Sequence, residues 1–187
     1  MFDDDILDEL DDKVEKITIS GISHEIAAGK SIQLTSTVHP KKATNKKLKW
    51  SSSNTKVATV SKKGKVSIKK GTGGKLVIII AKATDGSGKK ATFKIKVMKG
   101  AVKSIKIKGA KKTLKVGKTM KLKTTVKVTK GKLVNKKVKW ISSNKKYATV
   151  SSKGMVKAQK EGKGKTVKIT AMATDGTGKK VVTIRIK

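Results

Sequence analysis

The stretch WSSSNTKVATVSKKGKVSIKKGTGGKLVIIIAKATDGSGKK, residues 50–90, is followed by WISSNKKYATVSSKGMVKAQKEGKGKTVKITAMATDGTGKK, residues 140–180. Roughly 25 of the 41 aligned positions are identical, so one unit has been duplicated. Working outward, VEKITISG from Val14 pairs with VKSIKIKG from Val102, and AGKSIQL from Ala28 pairs with VGKTMKL from Val116. The smaller offset upstream places a two-residue insertion in the second copy, within residues 129–135. Solenoid repeats run to roughly 20–50 residues and cannot bury a core alone, whereas a unit of about ninety can. The sequence therefore predicts an acidic leader or linker over residues 1–12, one domain over 13–98 and a second over 101–187. The joint is Lys99-Gly100-Ala101, short enough to limit reorientation.

The hydrophobic period is two rather than 3.6. In the first copy Ile17 and Ile19 alternate with polar residues, as do Ile32, Leu34, Ser36 and Val38, then Leu48 and Trp50, then Val66 and Ile68. Val77, Ile79, Ala81 and Ala83 form a further row, and Phe93, Ile95 and Val97 close the set. The second copy repeats the pattern from Ile105 and Ile107 through Met120, Leu122, Thr124 and Val126. About seven short strands per unit, bounded by Gly, Asn and Ser, predict an all-β fold of two tandem immunoglobulin-like sandwiches. The longest apolar run, residues 76–81, suits a buried strand. Asp85-Gly86 and Asp175-Gly176 read as tight hairpin turns, because an Asp-Gly pair accommodates positive φ. Gly64 and Gly154 read as ends of the VSKKGKV and VSSKGMV hairpins.

Composition restricts the rest. Aromatics make up 3% of 187 residues, so the cores are expected to be built from Val, Ile, Leu and Ala. There is no Cys, which excludes disulfides, thiolate zinc sites and a cysteine nucleophile. No run has the length of a transmembrane helix, so no membrane insertion is expected. The acidic start is not a signal peptide. The formal charge is +36. Most of the acids, from Asp3 to Glu15, crowd the start, leaving Glu25, Asp85, Glu161 and Asp175 among nearly all the lysines. Such a body attracts polyanions at low salt. In KSIKIKG and KTMKLKTTVKV the lysines alternate with apolar residues, which places them on outward faces as a solvated coat that also guards sheet edges.

The series Val14, Trp50, Ser53, Asn54, Ala58, Thr59, Val60, Ser61, Gly64, Val66, Asp85 and Gly86 resembles the group 2 bacterial immunoglobulin-like domain. The second copy carries it through Val102, Trp140, Ser143, Asn144, Ala148, Thr149, Val150, Ser151, Gly154, Val156, Asp175 and Gly176. The resemblance covers nearly the whole chain apart from the acidic start. It implies a two-sheet sandwich used as a stalk or accessory module in bacterial and phage surface proteins, including adhesins of the intimin and invasin type and secreted enzymes. It brings no catalytic residues. Calcium binding by some members makes Asp85 and Asp175 the calcium candidates that the resemblance implies.

An enzyme is not expected. His24 and His39 have no repeat partners, and alternation turns the nearby Glu25 away from His24. No two carboxylates of the units read as an acid/base pair. No cofactor and no metal are expected beyond those calcium candidates, since the acidic clusters lack the spacing of an EF-hand loop. Nucleic-acid readers add Arg forks and stacking aromatics, whereas Arg185 is the only Arg, and Trp50 and Trp140 read as core. The function expected is that of a non-catalytic extracellular module on a bacterial cell surface, part of a longer exported protein, acting as spacer or adhesion domain. The alternatives are electrostatic binding to anionic cell-wall polymers or glycans, with Lys41, Lys42, Lys46, Lys47, Lys136 and Lys137 as anion-binding candidates, and an accessory role in a secreted enzyme. The expected partners are an anionic cell-wall polymer, a glycan or a host surface protein, with no specific nucleic acid, and the chain is expected to be a monomer. The insertion within residues 129–135 distinguishes the copies and is the place to look for a specific interface.

Overall fold

The structure, a computed structural model, describes residues 12–130 and 132–187. It is all-β apart from one 3-10 turn, Lys160–Gly162. The first unit contains β1 (Lys16–Ser20), β2 (Glu25–Ala27), β3 (Ser31–Gln33), β4 (Thr35–His39), β5 (Leu48–Ser52), β6 (Ala58–Val60), β7 (Lys65–Ile68), β8 (Leu76–Ala83) and β9 (Lys90–Met98). The second contains β10 (Val102–Lys108), β11 (Thr113–Leu114), β12 (Thr119–Lys121), β13 (Lys123–Val128), β14 (Val138–Ser142), β15 (Ala148–Val150), β16 (Met155–Ala158), β17 (Thr166–Ala173) and β18 (Lys179–Ile186). One sheet of the first unit has the order β2-β9-β8-β5, and the facing layer is β3-β7-β6 continued by the pair β1-β4. The second unit repeats this as β11-β18-β17-β14, β12-β16-β15 and β10-β13.

The expected seven strands become nine segments because two runs cross between sheets. The first run pairs as β1 with β4 and then, after Gly21, as β2 in parallel with β9. A Cβ on Gly21 would lie 2.7 Å from Leu34 Cδ2 and 2.9 Å from the Phe93 ring, so the crossing needs a residue without a side chain. The second run leaves β7 at Leu34, whose N–H donates to the Gly64 carbonyl at 3.0 Å, and continues as β4. Leu122 repeats the bond to Gly154 at 2.8 Å.

Alternation places one face of each sheet inward. Ile26, Ile32, Leu34, Val66, Val77, Ile79, Phe93, Ile95 and Val97 fill the first interior, and Leu114, Met120, Leu122, Val156, Val167, Ile169, Ile184 and Ile186 the second. The two cores share no residue. Trp50 is half-buried and packs against both clusters of its unit, as does Trp140. Each indole stands opposite a small partner, Ala81 or Ala171, in the neighbouring strand. The apolar run 76–81 differs from expectation. It lies in a strand with one face outward, so Leu76 and Ile78 remain 55% and 37% exposed while Val77 and Ile79 are buried. The second copy has Thr166 and Lys168 at those outward positions.

Candidate functional site

The W-x-S-S-N motif builds a corner, not a reactive site. The Ser53 N–H donates to the Ile78 carbonyl while its hydroxyl accepts the Ile78 N–H, both at 2.9 Å. Asn54 Oδ1 accepts the Lys56 N–H at 3.0 Å, closing an Asx turn. Ser143 and Asn144 make the same bonds to Lys168 and Lys146. The expected hairpin ends are present: Gly64 and Gly154 take φ of +76° and +79°, and a Cβ on either would crowd the nearby Trp.

Asp85-Gly86 is not the two-residue hairpin turn that was expected. The connection from β8 to β9 spans residues 84–89, with positive φ at both Gly86 and Gly88. Asp85 instead spans the sandwich, its Oδ2 accepting the Val14 N–H at 2.6 Å and its Oδ1 the Ser87 N–H at 2.9 Å. Hydrogen bonding from the Ser87 side chain, then from the Val14 backbone, lowers its pKa from 3.8 to about 2. Asp175 ties Val102 at 2.7 Å and Thr177 at 3.0 Å in the same way. Both carboxylates, the calcium candidates of the sequence, thus face backbone donors of their own unit. Among the described residues no three His, Cys, Asp or Glu side chains gather as a metal site would require.

The most elaborate polar arrangement lies where the two units meet. Asn135, at the end of the inserted loop, is 3% exposed. Its two Nδ2 hydrogens are shared among Thr174 Oγ1 within its own unit at 3.0 Å and, across the junction, the Glu25 carbonyl at 3.0 Å and Ser23 Oγ at 3.1 Å. Its Oδ1 accepts the Lys137 N–H at 3.0 Å, and the Thr174 hydroxyl donates to the Lys137 carbonyl at 3.1 Å. A backbone bond runs the other way, from the Ala27 N–H to the Asp175 carbonyl at 2.9 Å. A Cβ on Gly176 would meet Lys30 Cβ and Ser31 O at 3.2 Å, so this loop is pressed directly against the first unit.

The linker is held as well. The Gly100 N–H donates to the Leu133 carbonyl at 3.1 Å, and a Cβ there would lie 2.6 Å from Val134. Thr129 and Ala101 bond through their backbones at 3.0 Å. The inserted loop is therefore an interface, but an internal one. A cleft of about 710 Å3 opens beside the contact, lined from both units by residues including Ser20, Gln33, Met172 and Thr177.

The lysine candidates do not form one patch. Lys41, Lys42, Lys46 and Lys47 are exposed at the end of the first unit where the chain enters, and Lys42 pairs with Asp12 at 3.1 Å. Lys136 and Lys137 are exposed at the junction, directly after Asn135. His24 is exposed, its ring stacked on Phe93 with centroids 4.1 Å apart and its Nδ1 2.7 Å from the Lys94 carbonyl. His39 is exposed too. No helix among the described residues is long and apolar enough to cross a membrane.

Among solved structures, the crystal structure of the S-layer protein rSbsC(31-844) is similar over 94% of this chain and 28% of its own, with 16% identity and a TM-score of 0.39. The C-terminal 282-residue fragment of intimin, solved in complex with the intimin-binding domain of the translocated intimin receptor, is similar over 92% of this chain and 63% of its own, with 16% identity and a TM-score of 0.33. The N-terminal Ig1-2 module of the Drosophila receptor protein tyrosine phosphatase DLAR is similar over 92% and 99%, with 13% identity and a TM-score of 0.39. None of these likenesses is close enough to bear on function. No curated protein matches the chain in sequence. The family model of the bacterial Ig-like domain (group 2) matches residues 13–95 and again residues 101–184. Together with the two sandwiches and their shared corner motif, this double match shows that the chain belongs to the group 2 bacterial Ig-like domains.

Proposed function

We propose that the pair is a stiff, non-catalytic spacer in a larger bacterial cell-surface protein, holding neighbouring domains at a set distance and angle outside the cell. The observation that carries this reading is the buried junction. Three hydrogen bonds cross between the units, two from one amide and one from backbone to backbone, around a linker clasped on both sides. Linked domains with small polar contacts reorient by default, so a desolvated polar lock is a departure that a spacer would use.

Electrostatic attachment to an anionic wall polymer is the second reading, and one observation favours it. At the far end of the second unit Lys115, Lys160, Lys163 and Lys187 line one hollow. The first unit has Ala27, Lys70, Gly73 and Val97 at the equivalent positions. Cell-wall pull-down at rising NaCl separates the readings. A spacer is not retained at physiological salt. An anchor is retained and released steeply as counterions screen it. Retention at physiological salt would overturn the spacer reading.

A further inference from the structure

The lock that joins the two units is present twice, and among the described residues only one copy is occupied. In the first unit Asn45 Nδ2 donates to Thr84 Oγ1 at 3.3 Å, Asn45 Oδ1 accepts the Lys47 N–H at 3.0 Å, and the Thr84 hydroxyl donates to the Lys47 carbonyl at 3.1 Å. These are the bonds of Asn135, Lys137 and Thr174. Asp85 and Gly86 complete the set as Asp175 and Gly176 do, with φ of +80° and +83° at the two glycines. Among the described residues, nothing else meets Asn45 Nδ2 or the Asp85 carbonyl. No described residue lies within 4 Å of where a Cβ on Gly86 would stand, whereas its counterpart Gly176 presses on Lys30 and Ser31. Thr84 is exposed and Asp85 half-exposed, where Thr174 and Asp175 are buried. The chain enters both units past the same carboxylate, the Val14 N–H donating to Asp85 as the Val102 N–H donates to Asp175, although Asp12 accepts the Thr44 N–H at 2.9 Å where its counterpart Gly100 donates to Leu133.

We propose that the Asn45–Thr84–Asp85 end of the first unit is a second docking face, and that its occupant is the lower end of another Ig-like unit of the kind that the first unit itself presents to the second. The occupied junction defines the chemistry required. The occupant supplies a hydroxyl in the place of Ser23, a free carbonyl in the place of Glu25 and a free N–H in the place of Ala27. The second unit's own lower end does not meet it. Lys111 stands at the Ser23 position, so a lysine ammonium, a donor only, would face the donor amide of Asn45 in place of an accepting hydroxyl. The face therefore selects a unit of the first type over a second copy of this chain's far end.

This inference rests on the spacer reading and is tested apart from it. Every strand of the first unit pairs within that unit around its own core. A further copy of residues 13–100 is fused ahead of residue 13 of the chain, and amide hydrogen exchange is followed with the added unit separately labelled. The Ala27 N–H of the added unit is expected to be protected to within about tenfold of the native Ala27 N–H, which reports the existing junction in the same sample. Asn45→Ala in the middle unit, or Ser23→Lys in the added unit, should remove that protection and leave the native junction unchanged. Exchange of the added unit's Ala27 at the rate of an exposed amide, with Asn45 intact and the native junction protected, overturns the docking face alone. Loss of protection at the native junction would instead strike the spacer reading.

Discussion

Asn135 and Asn45 make the same local bonds in the same loop of the same unit, yet one is buried between domains and the other faces outward. So do Thr174 and Thr84. The difference teaches that the loop is shaped by its own Asx and Asp–backbone bonds and needs no partner to form. Docking then adds to a preorganised surface, and little conformational entropy remains to be lost on contact. A unit with such loops at one end and unpaired edge groups at the other is suited to stacking end to end.

Several substitutions break or sharpen this comparison. The largest effect is expected inside a core. Ile169 and Ile79 are fully buried at equivalent positions, and Ile→Ala at either should cost about 2–5 kcal/mol. Because the cores are separate, urea unfolding followed by hydrogen exchange should show the loss confined to the unit that carries the change. The latch comes next. Asn135→Ala leaves the buried Thr174 hydroxyl and the Glu25 carbonyl short of a partner and should cost about 1–3 kcal/mol, whereas Asn45→Ala, at a half-buried site with no bond across a junction, should stay within roughly 0.5 kcal/mol. Equal costs in thermal unfolding would abolish the distinction between the two faces.

Acid is expected to act on the first unit through Asp85. Its folded pKa of about 2 lies below the ordinary 3.8, so its contribution to stability is complete above that ordinary value and is lost as pH falls toward about 2. Asp85→Asn should weaken the first unit at neutral pH and flatten this part of its acid-unfolding curve. A curve unchanged by Asp85→Asn would show that the carboxylate does not tie Val14. The smallest effect is expected at Leu76, exposed on the outer face. Leu76→Thr, which installs the second unit's residue, should shift stability by less than roughly 0.5 kcal/mol. A larger loss would mean that the exposed apolar face is covered.

The sandwich architecture was legible because alternation, small turn residues and duplication all pointed to it. Trp50 and Trp140, expected to be core, do bridge the two clusters of each unit. In the strand over residues 76–81 alternation marks Val77, Ile79 and Ala81 as the inward row, and they are buried, but the apolar Leu76 and Ile78 between them suit a buried strand by composition, which does not reveal that their face is left uncovered. The crossing of two runs between sheets was also hidden, since the alternation continues through Leu34 while its hydrogen bonding changes partner. The junction was the least visible part. Asn45 and Asn135, or Thr84 and Thr174, are the same residue in the same local pattern, and burial is decided by what lies across the interface. The available signals were the short joint and the inserted loop beside it. The lysine candidates were chosen from charge density, which does not reveal that four lie at the end of one unit and two at the junction.

The central claim is that two separate sandwiches are held in one orientation by the buried Asn135 amide. Residual dipolar couplings of the whole chain in a neutral stretched gel test it most directly. A single alignment tensor should fit the couplings of both units, and Asn135→Ala should split it into two of unequal magnitude. Two independent tensors in the unaltered chain would mean that the units turn freely and that the junction holds nothing in place.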